Sequence, residues 1–118
     1  MIGDDAECIV LDAPHDVDAI LELVGDRRVT AIVCTHAHDD HVRYAPELAE
    51  RTGAPILLNP DDLVLWNLTH PERRPDRELR DGDVLEVGGT RIEVIATPGH
   101  APGAVCLWLP AERVLFSG

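Results

Sequence analysis

Lysine is absent from these 118 residues; all ten basic side chains are arginine. That removes the amine needed for Schiff-base chemistry and the lysine of a nucleotide-binding P-loop. Serine occurs once, at Ser117, with no base in a suitable motif, which excludes a Ser-His-Asp hydrolase. Cysteine is nearly as scarce. Cys8, Cys34 and Cys106 are isolated, odd in number and embedded in apolar runs. Without C-x-x-C spacing they offer no zinc ribbon, redox pair or disulfide framework. They read as buried small side chains in a reducing compartment, with Cys34, just before the histidine-rich stretch, the one to watch.

Aromatic residues make up only 3% of the chain, so Val, Leu, Ile and Ala must fill the core. No apolar run approaches the roughly 20 residues that span a bilayer. The start, "MIGDDAECIV", has neither a basic segment nor an apolar h-region. These absences lead to the expectation of a soluble, cytoplasmic protein with no membrane partner. Positive charge is short as well, at a formal net charge of −12. Nucleic-acid binding through phosphate contacts needs a basic face and is not expected. A bound multivalent cation would offset part of the excess acid.

What is present is a hydrophobic content of 45% without low-complexity tracts, consistent with one folded domain over residues 1–118. "ECIVLD", "TAIVCT" and "PILLN" read as short buried strands. Between them, "DVDAILELV" reads as a helix with Asp16 as N-cap and Gly25 as its stop. "APELAERTG" reads as a second helix, with Pro46 in its first turn and Gly53 beyond its end, and "PDDLVLWNL" as a third opened by Pro60. Alternating strands and helices at this spacing predict an α/β layer with parallel strands. "THPERRPDREL" follows as a polar loop of about a dozen residues, long enough to suggest a substrate-side role. "DVLEV", "TRIEVIAT", "AVCLWLP" and "RVLFSG", joined by turn signals, then predict an antiparallel meander. The fold class is therefore α/β (α+β), half α/β and half β in one layer system.

Three of the six histidines fall within "THAHDDH", where the second predicted strand ends. In open α/β sheets, ligands bind at that carboxyl edge. Side chains two apart in extended backbone leave the same face, so His36 and His38 can converge on one ion. Asp40 and His41 are adjacent and continue into a turn, which directs them to a second location nearby. His100 stands between two Pro-Gly pairs in "TPGHAPG", a loop joining two predicted strands. Three imidazoles and a water satisfy a catalytic zinc, and His36, His38 and His100 would form such a set. Asp40 and His41 would begin a second site. The remaining histidines, His15 and His70, read as surface or loop residues.

"THAHDDH" resembles the T-H-x-H-x-D-H signature of the metallo-β-lactamase superfamily, matched at Thr35, His36, His38, Asp40 and His41. "TPGHAPGAVCLW" is similar to the family segment carrying a further His ligand, here His100. "VLDAP" matches the family strand ending in Asp, here Asp12, and "RVLFSG" resembles a later strand. The form "PGHAPGAVC" looks most like glyoxalase II-type thioester hydrolases, and "LWNLTHPERR" resembles actinobacterial members associated with mycothiol. The resemblance implies an αββα sandwich with a one- or two-ion zinc site. His36, His38 and His100 would hold the first ion, Asp40 and His41 the second. Asp12 and Thr35 would support the histidine loop from behind the ligands. Asp39 occupies the family's variable position and is assigned no metal. Against the family pattern, the sequence resembles roughly the first half of a member, clipped at both ends. The bridging Asp that follows the family's F-S-G strand, and a later His, fall past Gly118. The second ion is therefore expected to be short of two ligands, and part of the apolar sandwich surface uncovered, a face that self-association would cover.

The implied reaction is hydrolysis of a thioester of a small thiol, with hydroxide generated at the metal attacking the carbonyl and Asp40 orienting it. A mononuclear iron enzyme oxidising persulfides is the alternative within the same superfamily. A non-catalytic metal-binding fragment is the other. A β-lactamase is disfavoured because nothing suggests export, and an RNA-processing nuclease by the net charge.

Overall fold

Runs such as "CIVL" and "AIV" carry apolar side chains on both faces of a strand, which suits only a sheet covered on both sides. In the computed structural model, which describes residues 1–14 and 16–117, they take that place. His15 and Gly118, both considered above, lie outside the described residues. The first sheet has the order β1 (Ile2–Gly3), β2 (Glu7–Leu11), β3 (Arg28–Val33), β4 (Ile56–Leu58) and β5 (Arg77–Glu78). β1 runs antiparallel to β2, and the other pairs are parallel. The strands are linked by α1 (Val17–Val24), the single turn α2 (Asp39–Val42), α3 (Ala45–Thr52) and α4 (Leu63–Thr69), the last preceded by a 3-10 turn at Pro60–Asp62.

Strand period decides which core each side chain joins. Cys8, Val10, Ile32, Ile56 and Leu58 pack under the helices, with Val17, Ile20, Leu48 and Trp66. Their neighbours Ile9, Val33 and Leu57 point the other way. There they meet Val87, Ile92, Val94, Val105 and Leu107 of a second, antiparallel sheet, β6 (Val84–Val87), β7 (Thr90–Ala96), β8 (Val105–Leu109) and β9 (Val114–Phe116). The chain thus stacks helices, sheet and sheet, the first three layers of the αββα sandwich that the resemblance implies. On the second sheet, Val84, Ile95 and Leu115 are exposed.

The helix boundaries follow their caps. The Asp16 carboxylate accepts from the Asp18 N–H at the start of α1. Pro46 lies in the first turn of α3, and Gly53 ends it in the left-handed conformation at φ 73°. Leu23 is 69% exposed, because α1 buries only Val17, Ile20 and Val24. Two elements have no counterpart in the sequence reading. β1 and β5 are two residues each, too short to show a period. β5 and the fully buried Leu79 also close the segment expected as a polar loop with a substrate-side role.

Candidate metal centre

β3 delivers the chain to the sheet's carboxyl edge at Val33, and Cys34 to His38 leave it before α2 begins. His38, the residue before α2, keeps extended backbone at φ −67°, ψ 146°. From the far side, the loop between β7 and β8 brings in His100. One ligand atom from each of His36, His38 and His100 lies within 4.8 Å of the others. His38 Nδ1 and His100 Nε2 are 3.1 Å apart. His36 is buried, His38 half-buried and His100 exposed, so the cluster opens to solvent on the His100 side.

Hydrogen bonding fixes the tautomers. Asp12, at the end of β2, adopts a left-handed backbone at φ 59°, a conformation that short polar residues tolerate best. This turn aims its buried carboxylate at β3. Oδ1 accepts from the Thr35 N–H at 2.8 Å, and Oδ2 from the Thr35 hydroxyl at 2.8 Å and His41 Nδ1 at 2.9 Å. The Thr35 hydroxyl has a single proton, which goes to Asp12. Its oxygen, 3.2 Å from His36 Nδ1, must therefore accept from that nitrogen. His36 consequently carries its proton on Nδ1 and a lone pair on Nε2. That Nε2 is the one buried side-chain nitrogen or oxygen among the described residues without a hydrogen-bond partner. Burial, followed by the neighbouring His41 ring, holds His36 below the ordinary histidine range, in the neutral form a cation requires.

An orphaned, buried imidazole lone pair is costly unless something occupies it. A cation held by three neutral imidazoles fits this need. The 3.1 Å between His38 Nδ1 and His100 Nε2 is near the roughly 3.4 Å edge of a tetrahedron with Zn–N bonds of about 2.0–2.1 Å. Asp40 and His41 stand beside this set: the Asp40 carboxylate is 79% exposed, and its Oδ2 lies 3.7 Å from His41 Nε2. The His41 and His36 ring centroids are 4.0 Å apart. Neither Asp40 nor His41 belongs to the group whose ligand atoms converge, which among the described residues is His36, His38 and His100.

Other candidates fall away. Asp39 pairs with Arg43, whose hydrogen bond lowers the acid's pKa. Cys34 is fully buried, and burial, then the charges of Asp12 and Asp62, push its thiol well above the ordinary cysteine range. Its sulfur is not among the donors that converge with the histidines. His70, expected as a surface or loop residue, is half-buried and donates from Nε2 to the Val42 carbonyl at 2.8 Å. A cleft of about 420 Å³ lined by Ala49, Gly53, Arg73 and Arg77 shares no residue with the cluster. Asp62 was not foreseen. It is fully buried and accepts from the Ala37 N–H at 2.7 Å and the Gly103 N–H at 2.6 Å. Asp is common at helix starts, so its sequence position signalled only a cap.

Comparison with known proteins agrees with this geometry. The profile of the Metallo-beta-lactamase superfamily matches residues 1–118. An uncharacterised protein of Aquifex aeolicus is 38% identical over 95% of this chain and 58% of its own length. A hydroxyacylglutathione hydrolase of a Methylobacterium strain is 35% identical over 94% of this chain and 42% of its own. The chain thus spans about half the length of these relatives. Among solved structures, the B3 metallo-beta-lactamase BLEG-1 superposes with a TM-score of 0.80 at 28% identity, covering all of this chain and 64% of that one. TTHA1623, solved in a di-iron-bound form, superposes with a TM-score of 0.76 at 30% identity, covering 92% and 59%.

Proposed function

Because the chain belongs to the metallo-beta-lactamase superfamily, we propose that it carries the metal-binding half of a metal-dependent hydrolase acting on thioesters of a small thiol. The observation behind this reading is the unpartnered Nε2 of His36 at the centre of a three-imidazole cluster. The thioester rests on the 35% identity to a hydroxyacylglutathione hydrolase.

His36, His38 and His100 would hold the first ion, with Asp40 and His41 contributing to a second. When bound, zinc supplies a Lewis acid and lowers the pKa of its water toward about 7. The chain's own groups prepare the site for this. Asp12 and Thr35 lock the His36 tautomer, and Asp12 does the same for His41, so both rings present Nε2 without reorganisation. The exposed Asp40 carboxylate would accept a proton or orient the attacking oxygen. The exposed face at His100 leaves the substrate a route in.

Elemental analysis of chain prepared without chelator or metal-binding tag tests the first half of this reading. We expect bound zinc, lost in His36→Ala and His38→Ala and retained in His70→Ala. Equal loss in His70→Ala would misplace the site. Turnover of a hydroxyacyl thioester of glutathione by the loaded chain tests the second half; hydrolysis of other ester classes but not thioesters would remove the substrate assignment. Iron in place of zinc is the second reading, favoured by the di-iron-bound form of TTHA1623. Iron as the bound metal would redirect the search toward oxidation of persulfides.

A further inference from the structure

The histidine cluster joins two loops that approach from different sheets, and its donors match only while those loops stay in register. The backbone contact between them is slight: Val105, at the start of β8, donates to the Thr35 carbonyl at 2.8 Å. Closer to the histidines, one side chain touches both loops. Asp62 Oδ2 accepts from the N–H of Ala37, the residue between His36 and His38, at 2.7 Å. Its Oδ1 accepts from the N–H of Gly103, three residues beyond His100, at 2.6 Å. Both bonds are buried, and Asp62 itself has no exposed surface.

Asp62 is the N-cap residue of α4, where an aspartate ordinarily accepts from the first turn of its own helix. Its side chain makes no such bond. The carboxylate is diverted from its usual local task to two distant N–H groups, 25 and 41 residues away in sequence. Gly103 shows how tight the junction is. A Cβ there would stand 2.6 Å from the Asp62 nitrogen and 2.9 Å from its Cβ, so the approach requires glycine.

We propose that Asp62 is a positioning residue for the metal centre, its carboxylate clamping the His36–His38 loop to the His100 loop through the Ala37 and Gly103 N–H groups. The inference rests on the reading of the three histidines as a metal set. Asparagine at position 62 keeps the volume but offers one acceptor oxygen and turns an NH2 group toward the other N–H. Loss of such support around metal ligands typically lowers affinity by about 10- to 100-fold.

The test is a titration of the metal-free chain with Co2+, read by its visible d–d absorption, a probe of ligand geometry separate from catalysis. We expect Asp62→Asn to bind Co2+ about 10- to 100-fold more weakly than wild type, with an altered spectrum. Leu48→Ala, which destabilises the helical core without removing a hydrogen bond to either loop, should keep the wild-type affinity and spectrum. Wild-type affinity and spectrum in Asp62→Asn would overturn the clamp while leaving the metal centre intact. Failure of wild type to bind Co2+ would overturn the metal centre and the clamp together. Equal weakening in Leu48→Ala would reduce Asp62 to a general stabiliser. Should Asp62→Asn fail to fold, amide hydrogen exchange in the metal-free wild type decides. Slow exchange at both Ala37 and Gly103 supports a preassembled clamp, and fast exchange at either one overturns it.

Discussion

A single hydroxyl proton organises the centre. Thr35 gives it to Asp12, and the choice propagates: the Thr35 oxygen is left to accept from His36, and His36 Nε2 is left to bind. Thr35→Val should break this chain at its middle link. The His36 Nδ1–H and one Asp12 lone pair would then lose a buried partner, a loss worth about 1–3 kcal/mol. We expect a matching fall in the urea midpoint, and roughly 10- to 100-fold weaker Zn2+ binding in a chelator competition, because His36 is then free to change tautomer. An unchanged affinity would show that the tautomer is fixed by something other than Thr35. The metal-set candidates were legible in the sequence, because imidazoles two apart at the end of an apolar strand have few other reasons to be there. Asp62 was illegible for the opposite reason: an aspartate opening a helix already has an ordinary explanation, and only the third dimension shows that the explanation is unused.

At the level of elements, the longer strands and helices were readable because their burial repeats with a period, as in α3 and β7. β5 was not, since two exposed residues, Arg77 and Glu78, carry no pattern; hydrogen bonds to β4 define it. The stretch leading to β5 is secured by Asp76, whose Oδ2 accepts from the Ile56 N–H at 2.8 Å and pairs with Arg73 at 3.2 Å. Burial raises the pKa of this carboxyl, but the Ile56 N–H and Arg73 outweigh it, and the net shift is downward. The unfolded chain therefore takes up the proton first as pH falls. The stabilisation is complete above the ordinary aspartate value of about 3.9 and is lost as pH drops through the lower folded value. Asp76→Asn should cost about 1 kcal/mol at pH 7, because the amide oxygen still accepts from the Ile56 N–H but without the charge that strengthens the bond, while the partly exposed ion pair adds little. The gap between variant and wild type should narrow at about pH 3 and below. Urea unfolding of both proteins at each pH checks this; a gap independent of pH would mean that the carboxylate charge is irrelevant.

For the whole molecule, the pairing of the two sheets was legible only through the family resemblance, because each strand's alternation tells which residues are buried but not which sheet lies opposite. The sheets meet at the centre, so an ion there would bind the folded chain alone and stabilise it by mass action. At free Zn2+ a hundredfold above its Kd the gain is about 2.7 kcal/mol. For a chain of this size that raises Tm by roughly 10 °C. We expect this rise in calorimetry of the wild type and none in His36→Ala; an equal rise in both would place the ion elsewhere. The same architecture bears on how the protein is made. His38 and His100 touch across 62 residues of sequence. At about 5–20 residues per second of translation, His38 is added to the nascent chain roughly 3–12 s before His100. Asp12 and Thr35 precede them on the nascent chain, so the partners that orient His36 are made before it, and the third imidazole is the last to arrive.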